Sequence, residues 1–269
     1  MLKRIITGIV AICVLAPVLI FSNTLLFPLA IAVITVVCLY EIFKCVGVYQ
    51  KLYITIPMYL YGAAAPFLMR YDPTGIPMGF AYISFIVGAL YLVYLFSLIV
   101  WSHGKLKFGE TVSQFAMSLY IIAALNSILY VRDYGENGKY IYLLIFIGAW
   151  VTDTFAYFVG YLFGKHKLIP KVSPKKTIEG SIGGILGSTV GCMVFAYLFN
   201  LDMPVMIIIG SVGSVIAQFG DLFASSIKRY VGIKDYGTLI PGHGGVLDRF
   251  DSVILVAPFV YYSIMLFSK

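Results

Sequence analysis

Charged residues are so sparse along this chain that the apolar intervals between them are its most informative feature. Stretches that are free of charge, or carry a single acid, run over residues 5–21, 25–40, 52–69, 79–101, 111–131, 140–163, 180–200, 203–227 and 252–268. A helix needs about 20 predominantly apolar residues to cross the hydrocarbon core of a bilayer. Each run therefore predicts a transmembrane helix, about nine in all, and the chain reads as an all-α, polytopic integral membrane helix bundle. Residues 5–40 contain no charge, so their division into two helices rests on the turn signal at Ser22 and Asn23 and on Pro17 and Pro28.

Composition agrees with this reading. Only 12% of the 269 residues are charged and 61% are hydrophobic, whereas a soluble domain is about 25% charged. Lipid is the expected solvent for most of the chain. Lys3 and Arg4 before an apolar run resemble the start of a signal peptide, but no clean small-x-small cleavage site follows. Cys13 follows bulky Ile12 and makes a poor lipidation site, so 5–21 is expected to stay as the first span. Nine spans put Arg70, Arg132, Lys139 and Lys269 on one side and the other 15 of the 19 Lys and Arg on the other. By the positive-inside rule the N-terminus and the two most basic loops face the cytoplasm. Cys13, Cys38, Cys45 and Cys192 form no CxxC pair and read as small buried hydrophobes.

Most of the 12 acidic residues sit in connections. Asp153 and Asp221 lie inside apolar runs, where a carboxylate at the centre of a span costs about 2.5–3.5 kcal/mol and normally faces the bundle interior. Asp153 reads either as a functional group or as a hydrogen-bond partner between helices. Gln218, Asp221, Ser225 and Lys228, at spacings of three, four and three, make one polar stripe on a helix, which runs into Lys228 and Arg229. The segment 228–251 follows. Gly242, Gly244 and Gly245 allow backbone to approach a ligand closely, Lys and Arg donate to phosphates, and Asp248 and Asp251 offer hard oxygens. That mixture suits phosphate groups with Mg2+, although a flexible solvated loop has the same composition.

The preceding basic stretch, 164–180, carries five lysines that suit anionic headgroups. Within it, Ser173, Pro174, Lys175, Lys176 and Thr177 stand just before a helix start, where anions are favoured. Gly183, Gly187 and Gly191 then recur every fourth residue as a close-packing ridge, for contacts within the chain or between two copies in a homodimer.

Ser225-Ser226-Ile227-Lys228-Arg229, then Lys234-Asp235, then Pro241-Gly242-His243-Gly244-Gly245-Val246-Leu247-Asp248-Arg249-Phe250-Asp251 resembles the signature of the phosphatidate cytidylyltransferase (CDP-diacylglycerol synthase) family. Asp153 with the Ala156-Tyr157 pair, and Ser173 to Thr177 with Glu179-Gly180, agree with it. The likeness covers at least the C-terminal half. It implies transfer of CMP from CTP to phosphatidic acid, giving CDP-diacylglycerol and pyrophosphate, with Mg2+ as cofactor. On that basis Asp221 and Asp248 are expected to bind the metal, with Asp251 either supporting those ligands from behind or holding a second cation. Ser173, Lys175, Lys176 and Thr177 are expected to hold the triphosphate, with His243 and Arg249 near the reacting phosphates. Ser225 belongs to the stripe, and Lys228 and Arg229 are placed to receive the lipid phosphate. The chain divides into N-terminal helices over 1–135 and a catalytic membrane region over 136–269.

The expected setting is the cytoplasmic (inner) membrane, with the active site facing the cytoplasm and no nucleic-acid partner. An ion-coupled transporter would use Asp153 and Asp221 for coupling but leaves the polar segment unexplained. A CDP-alcohol phosphotransferase lacks its Asp-Gly-x-x-Ala-Arg signature here. A CTP-dependent polyprenol kinase shares the substrate logic and would transfer the terminal phosphate instead.

Overall fold

The computed structural model describes residues 2–71 and 79–267. The end of the last expected span at Ser268, Lys269, and the side chains of Lys3 and Arg4 used in the orientation argument lie outside the described residues. Among those described, long helices run over Leu2–Ile20 (α1), Leu26–Cys45 (α2), Leu52–Arg70 (α3), Gly79–Trp101 (α4), Phe108–Asp133 (α5), Gly138–Phe163 (α6), Ile178–Phe199 (α7), Met203–Val231 (α8) and Leu247–Phe267 (α9). The last eight are long and apolar enough to cross a membrane, and the chain is an all-α polytopic membrane bundle. Large apolar side chains point outward along the spans, including Phe85, Leu90, Leu186 and Leu198, each more than 60% exposed. Such faces need lipid rather than water as their solvent.

Three of the boundaries that differ from the apolar runs move polar residues onto helices near the site. α2 continues past residue 40 to Cys45, so Glu41 lies inside a helix and not in a connection. α8 continues to Val231 and stops where Gly232 takes a φ of 81°, a left-handed C-cap that suits glycine. α9 begins at Leu247, five residues early, which places Asp248, Arg249 and Asp251 on a helix. The cause in each case is the same. A charge ends an apolar run in the sequence, but a helix continues through it when the charge finds a partner.

The chain divides into two compact units. One comprises Met1–Tyr130 with Asp235–Asp248, and the other Val131–Lys234 with Arg249–Lys269. In the first, α2 packs on α3, and Phe27, Ile31, Leu39 and Phe43 of α2 and Ile54, Met58 and Ala65 of α3 are all nearly solvent-free. Gly62 admits α2 closely, since a Cβ there would stand 2.8 Å from Leu39 Cδ1. Tyr91 donates to the Ile54 carbonyl at 2.7 Å and lies 3.0 Å from Gln114 Oε1. Arg70 donates to the carbonyls of Ser22 and Thr24, closing the turn before α2 onto the end of α3.

In the second unit the glycine ridge of α7 is used within the chain. A Cβ on Gly183 would strike Val159, one on Gly187 would strike Phe155, and one on Gly184 would meet the Thr152 carbonyl, so α6 and α7 approach backbone to backbone. Gly210 does the same for α8 against Thr189 and Cys192 of α7. A polar ladder crosses the three helices. Thr152 donates to the Gly148 carbonyl and lies 2.9 Å from the Ser214 hydroxyl, and Gln218 Nε2 donates to the Ser181 carbonyl at 3.2 Å. α6 carries a π-helical turn over Ile147–Val151 immediately before Thr152 and Asp153, a feature that often marks functional sites.

Where the sequence shows only a basic connection, the chain forms an antiparallel hairpin of β1 (Lys167–Ile169) and β2 (Ser173–Thr177). Thr177 ends the hairpin and caps α7, its hydroxyl accepting the Gly180 amide at 3.1 Å. Glu179 reaches back to accept the amides of Lys165 and His166 and to bond His166 Nδ1 at 2.6 Å, which fixes the approach to the hairpin.

Candidate functional site

The second unit gathers most of the residues singled out by the sequence. The stripe on α8 exists as expected. Asp221 pairs with Lys176 Nζ at 2.5 Å and accepts from the Ser225 hydroxyl at 3.3 Å, while Lys228, one helical repeat further on, stands 4.0 Å from Asp251. Lys228 and Asp251 expose only 9% and 10% of their side chains. Gly220 explains how two acids on different helices come together: a Cβ there would lie 2.8 Å from the Asp251 carbonyl and 3.1 Å from Leu255. Any larger residue would drive α9 away from α8.

Asp153 joins the same cluster from α6. It takes a hydrogen bond from Ser252 and interacts electrostatically with Asp221, Lys176 and Arg249, while Asp251 in turn feels Asp221, Asp153 and Lys228. Three carboxylates and three cations drawn from four elements, α6, β2, α8 and α9, thus share one polar cluster. Like charges at short range in a weakly polarisable medium demand compensation. Here Lys176 and Lys228 supply part of it.

Four other expected residues stand outside these contacts. The Thr177 hydroxyl is the α7 cap. Arg229 donates through Nη1 to the Ile233 carbonyl at 3.2 Å, beyond the end of its own helix. Ser173 pairs with Ile169 in the hairpin and Lys175 is exposed.

The first unit holds the glycine-rich segment, and its conformation can be read residue by residue. Ile240-Pro241-Gly242-His243 is a turn closed by the His243 amide on the Ile240 carbonyl at 2.9 Å, with Gly242 at φ 80°. Proline second and a positive-φ glycine third are what a type II turn requires. Gly244, at φ 86°, returns the chain to bridge Ile240. His243 Nδ1 lies 2.9 Å from the Thr7 hydroxyl.

Asp248 is buried, and its Oδ2 accepts the amides of Tyr236 at 2.8 Å and Gly245 at 2.9 Å, tying together the two ends of the segment. Glu41, 2% exposed, accepts the Val246 amide at 3.0 Å on Oε1 and the Leu247 amide at 2.7 Å on Oε2. Glu41 stands one residue past the charge-free run 25–40, which places it on paper in a connection rather than in a span. The available signal was that Ile42, Phe43 and Cys45 continue the apolar run beyond it. Beside Glu41 opens a cavity of about 860 Å3, lined among others by Val36, Val37, Tyr40, Lys44, Tyr59 and Leu239. Among the described residues, no group of three or more His, Cys, Asp or Glu is assembled at metal-binding separations.

The sequence profile of the cytidylyltransferase family matches residues 2–267. The chain is 30% identical over 257 residues to a phosphatidate cytidylyltransferase of Staphylococcus aureus (strain COL), covering 95% of each chain. It is 39% identical over 153 residues to one from Bacillus subtilis (strain 168), covering 56% of this chain and 57% of that one. With one from Staphylococcus haemolyticus (strain JCSC1435) it shares 45% identity over 125 residues, 46% of this chain and 48% of that one. In the last two alignments the chain spans about half the length of the curated relatives it matches.

Proposed function

The chain belongs to the cytidylyltransferase family, and from that premise we propose that it is a nucleotidyltransferase that moves CMP from CTP to phosphatidic acid. The products are CDP-diacylglycerol, for phospholipid synthesis, and pyrophosphate. The observation that carries this reading is the cluster of the second unit, where Asp221 is paired with Lys176 and Asp251 with Lys228. Ammonium groups for phosphates and carboxylates for a cation stand side by side there.

An oxygen of the lipid phosphate attacks the α-phosphorus of CTP. The bond from that phosphorus to the bridging oxygen breaks, and pyrophosphate leaves with the electron pair. The nucleophile is already anionic, so the protein's work is to orient two anions and offset their charge. Lys176, now on Asp221, exchanges its carboxylate for the triphosphate, with Lys175 and Ser173 on the same strand as further donors. Lys228 and Arg229, at the end of α8, receive the lipid phosphate, and Arg249 completes the positive charge.

The donor set suits Mg2+, which takes hard oxygens and usually only one or two protein carboxylates; Asp221 and Asp251 supply these in the second unit, with Asp153 behind them. When bound, Mg2+ supplies charge neutralisation to the triphosphate and its leaving group. From the glycine-rich segment, Asp248 is proposed as a further ligand and His243 as a donor to phosphate, on the strength of the resemblance. The excess of Lys and Arg on one side supports a cytoplasm-facing site in the cell membrane.

The test is a purified-protein assay with phosphatidic acid, Mg2+ and CTP labelled in the cytosine ring. The expected outcome is label in the lipid fraction, abolished by a chelator. No labelled lipid overturns the reading. In a parallel assay with CTP labelled at the γ-phosphate, label entering lipid while the ring label does not indicates a kinase, and chelator-resistant transfer removes the metal from the scheme.

A further inference from the structure

We propose that Glu41 is a positioning residue for this reaction: its carboxylate holds the segment that carries Asp248 in its working conformation. The inference rests on the transferase reading for its kinetic consequence, and on geometry alone for the contact itself.

A carboxylate in the fifth turn of an apolar helix, 2% exposed, needs compensation; Lys44 acts on it electrostatically, and among the described residues no cation is hydrogen-bonded to it. Instead each oxygen accepts one backbone amide, from Val246 and from Leu247, at the first turn of α9. Those amides are among the donors that a helix leaves unsatisfied at its start, and the negative charge meets the positive end of the helix. The fit is specific on the segment's side. A Cβ on Gly237 or on Gly245 would collide with the Glu41 carboxylate, so the two glycines form the slot that receives it. Asp248 then ties Tyr236 to Gly245 from the other side. Two carboxylates therefore grip a segment of about ten residues at the same place, one from α2 and one from within the segment. Glu41 also borders the cavity beside Tyr40 and Lys44, which raises direct contact with a lipid as the competing role. With both oxygens already engaged by amides, holding the segment is the role the geometry favours.

The experiment compares wild type with Glu41→Gln and Glu41→Asp in detergent or mixed micelles. Glutamine keeps the shape but turns an NH2 group toward one of the two amides. Expected for Glu41→Gln are a fall in kcat of at least tenfold, KM values for CTP and phosphatidic acid within about threefold of wild type, and faster amide hydrogen exchange confined to residues 243–249. Glu41→Asp, shorter by one methylene but still anionic, recovers part of both kcat and protection.

A second arm does not depend on Glu41→Gln folding. Gly245→Ala is expected to damage the protein more in the wild-type background than alongside Glu41→Ala, because removing the carboxylate vacates the space that the new methyl needs. Wild-type kcat and wild-type exchange in Glu41→Gln overturn the proposal, as does a rise confined to the lipid KM, which assigns Glu41 to the cavity. Additive damage in the Gly245 pair overturns the slot. If wild type itself yields no CDP-lipid, the transferase reading fails, while the exchange arm still decides whether Glu41 holds the segment.

Discussion

The two units bury carboxylates in opposite ways. In the N-terminal unit, Glu41 and Asp248 are satisfied by backbone amides, four of them within residues 236–247, and each oxygen with a described bond is spent on shaping the chain. In the C-terminal unit, Asp221 and Asp251 face lysine ammonium groups on neighbouring elements, and Asp153 faces both acids. An amide cannot leave its place in the backbone, so the carboxylate oxygens that amides hold build conformation, even in Asp248, which is also proposed as a metal ligand. A lysine on a flexible stem can exchange one anion for another, so lysine-held carboxylates remain available to substrate and cation. A buried acid therefore announces its role by the kind of partner it has, more than by its depth.

Three substitutions sharpen or break that contrast. The largest effect is expected for Asp221→Asn. CMP transfer falls on the order of 100-fold or more, as for loss of a group that stabilises transition-state charge, while the melting temperature in detergent stays within a few degrees of wild type. Loss of folding instead of activity would put Asp221 in the same class as Glu41. Asp248→Asn should behave differently. Its Oδ2 holds two amides, so activity falls and the fold also loses about 1–3 kcal/mol, read as a lower melting temperature and faster exchange at Tyr236 and Gly245. A full-stability Asp248→Asn protein would dissolve the distinction. The smallest effect is expected for Thr177→Ala, which removes the α7 cap at a cost of about 1 kcal/mol. If Thr177 serves only as a cap, kcat and the CTP KM change by less than about threefold. A large rise in the CTP KM would return Thr177 to the triphosphate site.

Much of this architecture is legible in the sequence because lipid imposes a simple rule: long apolar runs become helices. All nine runs coincide with a helix, and the stripe from Gln218 to Lys228 follows from helical spacing alone. The glycines every fourth residue of α7 likewise announce close packing, and α6 supplies the partner. Where the reading stops is equally regular. A charge at the edge of an apolar run ends it on paper, so Glu41, Asp248 and Asp251 fall outside the expected spans, although each lies on a helix.

What the sequence alone determined is therefore the position and apolar character of the helices, the polar stripe, and the segment whose pattern resembles a cytidylyltransferase signature. Those follow from hydropathy, from the 3.6-residue period and from local motif chemistry, all of which are properties of neighbours in the chain. Only the tertiary structure decided which carboxylate meets which donor. Glu41 lies 205 residues from Val246 and Lys176 lies 45 residues before Asp221. No local pattern encodes those pairings, because each depends on how glycine-lined helices close on one another.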